Sequence, residues 1–194
     1  MTNTFQRLGL GILGGAVSLI VGGVAETVST PVQRSGDLDA AVAVLDAGHA
    51  DLLQAVADTG TTVLINDAEC YEGEMRGVYG FYAGHAGLFV ICQENGSEGT
   101  VTRFTAEDLN TIRHEAQHLI QDQMDGVLDG WLDNRYNTND RFTAWVNGVV
   151  PSHRIGVIMG YDELEIRLLE AEAEAVAYDQ SASEIAETVR QFTF

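Results

Sequence analysis

The chain has 194 residues, room for one compact domain, and its 45% hydrophobic and 20% charged residues exclude wholesale disorder. Twenty-nine acidic residues stand against ten basic ones, all arginine, for a formal net charge of −19. So few cations cannot build the basic stripe that neutralises phosphates, which excludes nucleic acid as a partner and disfavours an anionic membrane surface. Such a charge attracts cationic ligands and metal ions; a solvated acidic coat is the alternative.

Read from the N-terminus, Arg7 is the only charged side chain before Glu26. It precedes the uncharged run Leu8 to Ala25, which ends on the small residues Gly23 and Ala25. A positive start, an apolar middle and a small-residue end predict a signal peptide over residues 1–25 and a secreted or periplasmic protein. The run of 18 residues is near the lower limit of a span, so the alternative is a membrane anchor if residues 8–25 are retained. Cleavage after Ala25 would leave nine arginines against 29 acids, a net charge of −20. In an oxidising compartment the only two cysteines, Cys70 and Cys92, are expected to pair. Closing a loop of that length stabilises by about 3 kcal/mol in the chain-entropy account.

Residues 26–35 read as a polar linker and residues 36–194 as a single domain. Ser35 is placed to cap a helix over 37–58, with Asp37 and Asp39 in its first turn. Leu38, Val42, Leu45, Leu52, Leu53 and Val56 form its apolar face, and Gly60 stops it. Thr61 to Ile65 is β-branched and reads as a buried strand. Gly77 to Tyr82 and Leu88 to Cys92 read as two more, joined by a turn into a hairpin, and residues 93–99 read as an exposed loop.

The chemistry begins at Thr105. Thr105 and Asp108 form a capping box that opens a helix of about 20 residues ending at Gly126. Within it lies His114-Glu115-Ala116-Gln117-His118, an HExxH motif. Histidines four apart on a helix share a face and can bind one metal ion, and Glu115 beside them can reach a water on that ion. An exposed helix with an incidental histidine pair is the structural alternative.

A catalytic zinc needs a third protein ligand. The continuation that supplies a third histidine would require Gly and His at positions that hold Gln121 and Met124. A glutamate from the alanine-rich helix predicted over 161–180 is the other source. There Glu165, Glu172 and Asp179 fall on one polar edge and, with Glu163, read as solvated. Glu170 and Glu174 lie opposite, near Ile166 and Ala177. A carboxylate among apolar positions needs a partner, and a metal is a good one. Glu170 is therefore the expected ligand, with Glu174 one turn on as its support or substitute.

HEAQH followed by a glutamate-rich helix resembles the gluzincin branch of the zincin-fold metallopeptidases, and Glu170-Ala-Glu-Ala-Glu174 resembles that branch's E-x-x-A-[DE] element. The resemblance implies an α+β fold, with a small mixed β-sheet packed on the HExxH helix and a C-terminal helix bearing the glutamate. It implies zinc bound by His114, His118 and Glu170, Glu115 as general base, and hydrolysis of a peptide or protein substrate held along an edge strand. The strand near 88–92 is the candidate edge. Tyr161, His153 and Arg167 are candidates for the oxyanion donor. Two other readings stand beside this one. An exported non-catalytic module could use the same ligands for structural zinc. A di-iron carboxylate protein would need a second E-x-x-H element, and the nearest approach is Asp46-x-x-His49. His49, His85 and His153 read as surface or core residues.

Overall fold

The structure, a computed structural model, describes residues 31–72, 76–124 and 140–192. The leader read over residues 1–25 and the helix stop at Gly126 lie outside them. Two helices open the described chain, α1 (Pro31–Val42) and α2 (Ala47–Asp58), where the sequence predicts one. Asp46 makes the break: it is the N-cap of α2 and its carboxylate accepts the His49 N–H at 3.1 Å. A capping aspartate satisfies an orphan donor at a helix start and thereby favours a new helix over continuation. α1 begins at Pro31, inside the expected linker and ahead of Ser35. Proline suits the first turn, where its missing N–H costs nothing.

Three strands follow: β1 (Thr62–Ile65), β2 (Gly80–Ala83) and β3 (Leu88–Ile91), in the order β1-β3-β2. β1 runs parallel to β3, and β2 pairs antiparallel with it as the expected hairpin. The strand at 88–92 is thus central, not an edge. Both of its sides are spent on ladder hydrogen bonds, and among the described strands β2 lies at an edge of the sheet. Alternation along the strands sends Val63, Ile65, Tyr82, Phe89 and Ile91 into the main core, and Phe81 and Val90 into a smaller cluster with Cys70 and Cys92. Those two cysteines form a disulfide, as the sequence predicts.

The rest of the fold is helical: α3 (Ala106–Gln123), α4 (Asp140–Val149), α5 (Ser152–Ile158), α6 (Leu164–Asp179) and α7 (Ala182–Phe192). Both halves of the Thr105–Asp108 capping box are present, and Asp108 also accepts the Glu94 N–H at 2.8 Å. Ile112, Ala116, Leu119 and Ile120 carry α3 through the main core. α6 lies along α3, and its alanines 171, 173, 175 and 177 are all buried. α4 and α5 cover the other side of α6 through a second cluster that includes Phe142, Val146, Ile158 and Ala175. β2 also packs on α3, and a Cβ at Gly80 would stand 2.7 Å from Thr111 Cγ2 and 2.8 Å from the Val90 carbonyl oxygen. Only glycine lets the strand approach the helix so closely. The result is an α+β architecture. Among the described residues, no helix is long and apolar enough to cross a membrane.

Candidate metal centre

α3 turns His114 and His118 toward α6, one helical turn apart. Their Nε2 atoms stand 3.1 Å from each other. Glu170, from α6, brings one carboxylate oxygen to 3.3 Å from His118 Nε2 and the other to 3.6 Å from His114 Nε2. With a single donor atom taken from each residue, all three lie within 4.8 Å of one another, a group that could hold a metal ion. Two ligands on a tetrahedral ion at ordinary zinc distances are about 3.3 Å apart, close to the spacing of the two imidazole nitrogens. The three expected ligands therefore come together, and their donor atoms converge.

Neighbouring side chains fix the orientation. His118 Nδ1 lies 2.7 Å from Gln121 Oε1, and Gln121 Nε2 donates to the Leu169 carbonyl at 3.2 Å. The amide oxygen accepts from Nδ1–H, which leaves Nε2 free for an ion. Glu174 sits on the far side of the other ring, with Oε1 3.8 Å from His114 Nδ1. At that distance it makes no hydrogen bond to His114, and it is not part of the converging set. Burial lowers the pKa of His114. In His118 burial acts the same way but the Glu170 carboxylate outweighs it, lifting the group to about 9. Glu170 itself is held below its ordinary value: its burial is opposed by the hydrogen bond from His118 and the charge of His114. A carboxylate that holds a proton so firmly on a neighbour is well placed to hold a cation instead.

Glu115 is buried beside the histidines, and its Oε2 has no hydrogen bond among the described residues. Burial raises its pKa against the pull of His114 and His118. A cleft of about 50 Å³ opens here, lined by Tyr79, Gly80, His114, Glu115, Arg154 and Tyr161 among others. Of the three candidate oxyanion donors only Tyr161 faces it. Burial followed by the charges of Glu170 and Glu115 raises the pKa of its hydroxyl, so the phenol stays protonated. Arg167 instead donates to the carbonyls of Tyr161 and Asp162, at 2.6 and 3.0 Å, and ties down the α5–α6 loop. His153 is exposed.

Three features escape the sequence reading. Arg154 is buried in the cleft wall, its guanidinium bridging Glu107 of α3 and Glu174 of α6. Glu172 is fully buried, not solvated, and accepts from Gln117 Nε2 at 2.7 Å. Its face of α6 is covered by α3 while α4 and α5 cover the rest, so no polar edge survives there. Glu163, Glu165 and Asp179 are exposed as expected. Lastly, Asp46 and His49 serve helix contacts. His49 Nδ1 lies 2.8 Å from Asp46, His49 Nε2 lies 2.7 Å from Arg113, and Arg113 Nε donates to the Ala177 carbonyl at 2.7 Å. His85 is exposed.

The geometry ranks the candidate ligands. If the group holds a divalent metal ion, Glu170→Gln should weaken its binding by more than about 100-fold and His118→Ala by at least as much, while Glu174→Gln should cost only about 10-fold. Competition with a metal-sensitive chromophoric chelator measures all three. A larger loss in Glu174→Gln than in Glu170→Gln would transfer the ligand role to Glu174.

The chain matches no protein-family model, no curated protein and no solved structure.

Proposed function

We propose that the chain is a zinc-dependent peptidase of zincin-like layout, hydrolysing peptide bonds with Glu115 as general base. One observation carries the reading: His114, His118 and Glu170 converge where Glu115, whose Oε2 has no partner among the described residues, lines a cleft beside the edge strand β2. Two imidazoles and one carboxylate are a donor set that catalytic zinc favours, and zinc bound there supplies Lewis acidity for a carbonyl and lowers the pKa of water toward 7.

The chain's own residues do the rest. Glu115 accepts a proton from the attacking water and returns it to the leaving amine. The substrate backbone is held by β2. The Cys92 N–H donates to the Tyr79 carbonyl at 2.8 Å, so residues 79, 81 and 83 turn toward β3, while Gly80 and Tyr82 turn their N–H and C=O outward. Gly80, which lines the cleft, offers its outward N–H and C=O to an extended peptide. The protonated Tyr161 phenol is the donor for the oxygen that gains negative charge. The Cys70–Cys92 disulfide fits the oxidising compartment of an exported enzyme.

Native mass spectrometry of the purified chain should find one zinc ion per chain. Chelation should abolish cleavage of a quenched-fluorescence peptide library, and added zinc should restore it. Zinc bound without cleavage of any peptide would establish the non-catalytic zinc module instead, and an absence of zinc binding would end both readings.

A further inference from the structure

The cleft beside the metal group takes four residues from α3: Asn110, Thr111, His114 and Glu115. Asn110 precedes His114 by one helical turn on the same face, about 6 Å along the axis. It is buried, and Arg113 fixes the orientation of its amide. That guanidinium is itself held from two other helices: Nε donates to the Ala177 carbonyl of α6 at 2.7 Å, and NH1 lies 2.7 Å from His49 Nε2 of α2. Its NH2 donates to Asn110 Oδ1 at 3.3 Å. A guanidinium carries only donors, so the Asn110 atom facing it is the amide oxygen, and Nδ2 is turned away from it. Nδ2 makes no hydrogen bond among the described residues and is not sealed from solvent. A donor in so buried a position is costly unless water or a ligand meets it. The adjacent Thr111 hydroxyl is already spent, since it donates to the Glu107 carbonyl at 3.0 Å.

We propose that Asn110 is a substrate-binding residue whose Nδ2 donates to a backbone carbonyl of the bound peptide, a proposal that rests on the peptidase reading above. An extended peptide advances about 3.3 Å per residue, so a chain running from the metal group past Asn110 brings there a carbonyl one or two residues from the scissile bond. Gly80, in the same cleft, meets that peptide from the strand side. A backbone carbonyl is common to every peptide, so the contact selects for length and extended conformation and not for a particular side chain. The substrate class is therefore an oligopeptide that continues past the metal on the Asn110 side. Arg113 touches no substrate and is a positioning residue. Without it the amide is free to turn over and set its own oxygen against the peptide carbonyl.

The test measures binding without turnover. A dye-labelled peptide that the parent chain cleaves is titrated into zinc-loaded Glu115→Gln and followed by fluorescence anisotropy. Adding Asn110→Ala should raise Kd by about 3- to 10-fold. Asn110→Asp keeps the volume and the Arg113 contact but puts an acceptor where the donor stood, so it should raise Kd at least as much. In chains that retain Glu115, kcat/KM should fall by the same factors, carried by KM, with one zinc still bound. A second series replaces one peptide bond of the probe at a time with a trans-alkene. At one position within two residues of the scissile bond the replacement should cost Glu115→Gln about 3- to 10-fold and cost the Asn110→Ala form nothing further, while other positions should cost both proteins alike. An unchanged Kd in folded Asn110→Ala would overturn the proposal, as would replacement costs that match in the two proteins at every position. Should Asn110→Ala not fold, the same series with Asn110→Asp decides by the same criteria. Failure of the peptidase reading looks different: the parent chain itself would bind no zinc or cleave no peptide.

Discussion

Glu115→Gln should bind zinc as tightly as the parent chain and lose peptide hydrolysis by about 10²- to 10⁴-fold. The substitution is nearly isosteric. An amide fills nearly the same volume, so the side chain should keep its place, and His114, His118 and Glu170 are untouched. What disappears is the ability to take a proton, the one property the mechanism asks of this residue. Stability should not fall, because burial already disfavours the charged form of Glu115 and the substitution removes that charge. Zinc content by native mass spectrometry, kcat on a cleavable peptide and a thermal melt, all on one preparation, separate these effects. Parental kcat in the variant would move the general base elsewhere. Loss of zinc together with activity would mean that Glu115 binds the metal.

The parts of the site that were legible in the sequence are those governed by local geometry. The Thr105–Asp108 box and the HExxH spacing are readable because helix caps and helix faces are set within a few residues. Glu170 emerges from the same periodicity, since it marks which side of α6 meets apolar neighbours. The split between α1 and α2 also has a local signal in Asp46, but an apolar periodicity running through the break hides it. Non-local partners decide the remainder. β3 is central because β1, some 25 residues earlier, pairs with it in parallel, and nothing within the run LFVIC distinguishes a central strand from an edge. Glu172 is buried because α3 lies against its face of α6 while α4 and α5 close over the rest, and a periodicity reports faces without saying how many are buried. Arg154 carries no motif at all. Its one available signal is a need: an acid placed among apolar positions at Glu174 calls for a cation, and only ten arginines can supply it.

That need makes Arg154→Ala the costliest substitution expected outside the metal ligands. Arg154 is 5% exposed and Glu174 6%, and Arg154 NH1 stands 3.4 Å from Glu174 Oε1, with Glu107 on the guanidinium's other side. Removing one member of a buried pair leaves the other without compensation, at a cost of about 3–5 kcal/mol. The cost should depend on pH in a definite direction. Burial raises the Glu174 pKa to about 7 even though Arg154 pulls it down. A carboxyl group with a folded pKa above its ordinary 4.5 gives stability that is complete below 4.5 and fades as pH rises through the folded value. Without Arg154 that folded value rises further. Near pH 5 Glu174 is then protonated with or without the arginine, and the two proteins should differ little through this group. Above pH 7 the parent holds a compensated carboxylate and the variant cannot, so the gap should open. Urea denaturation in the presence of chelator, at pH 5.5 and pH 8, measures that gap without a bound metal. Adding Glu174→Gln to Arg154→Ala should close most of it at pH 8. An equal loss at both pH values, unrepaired by Glu174→Gln, would show that the arginine acts through the packing of its stem and not through its charge. The outcome also bears on the cleft, because Arg154 is the tie from α5, the far wall, to both helices that carry the metal ligands.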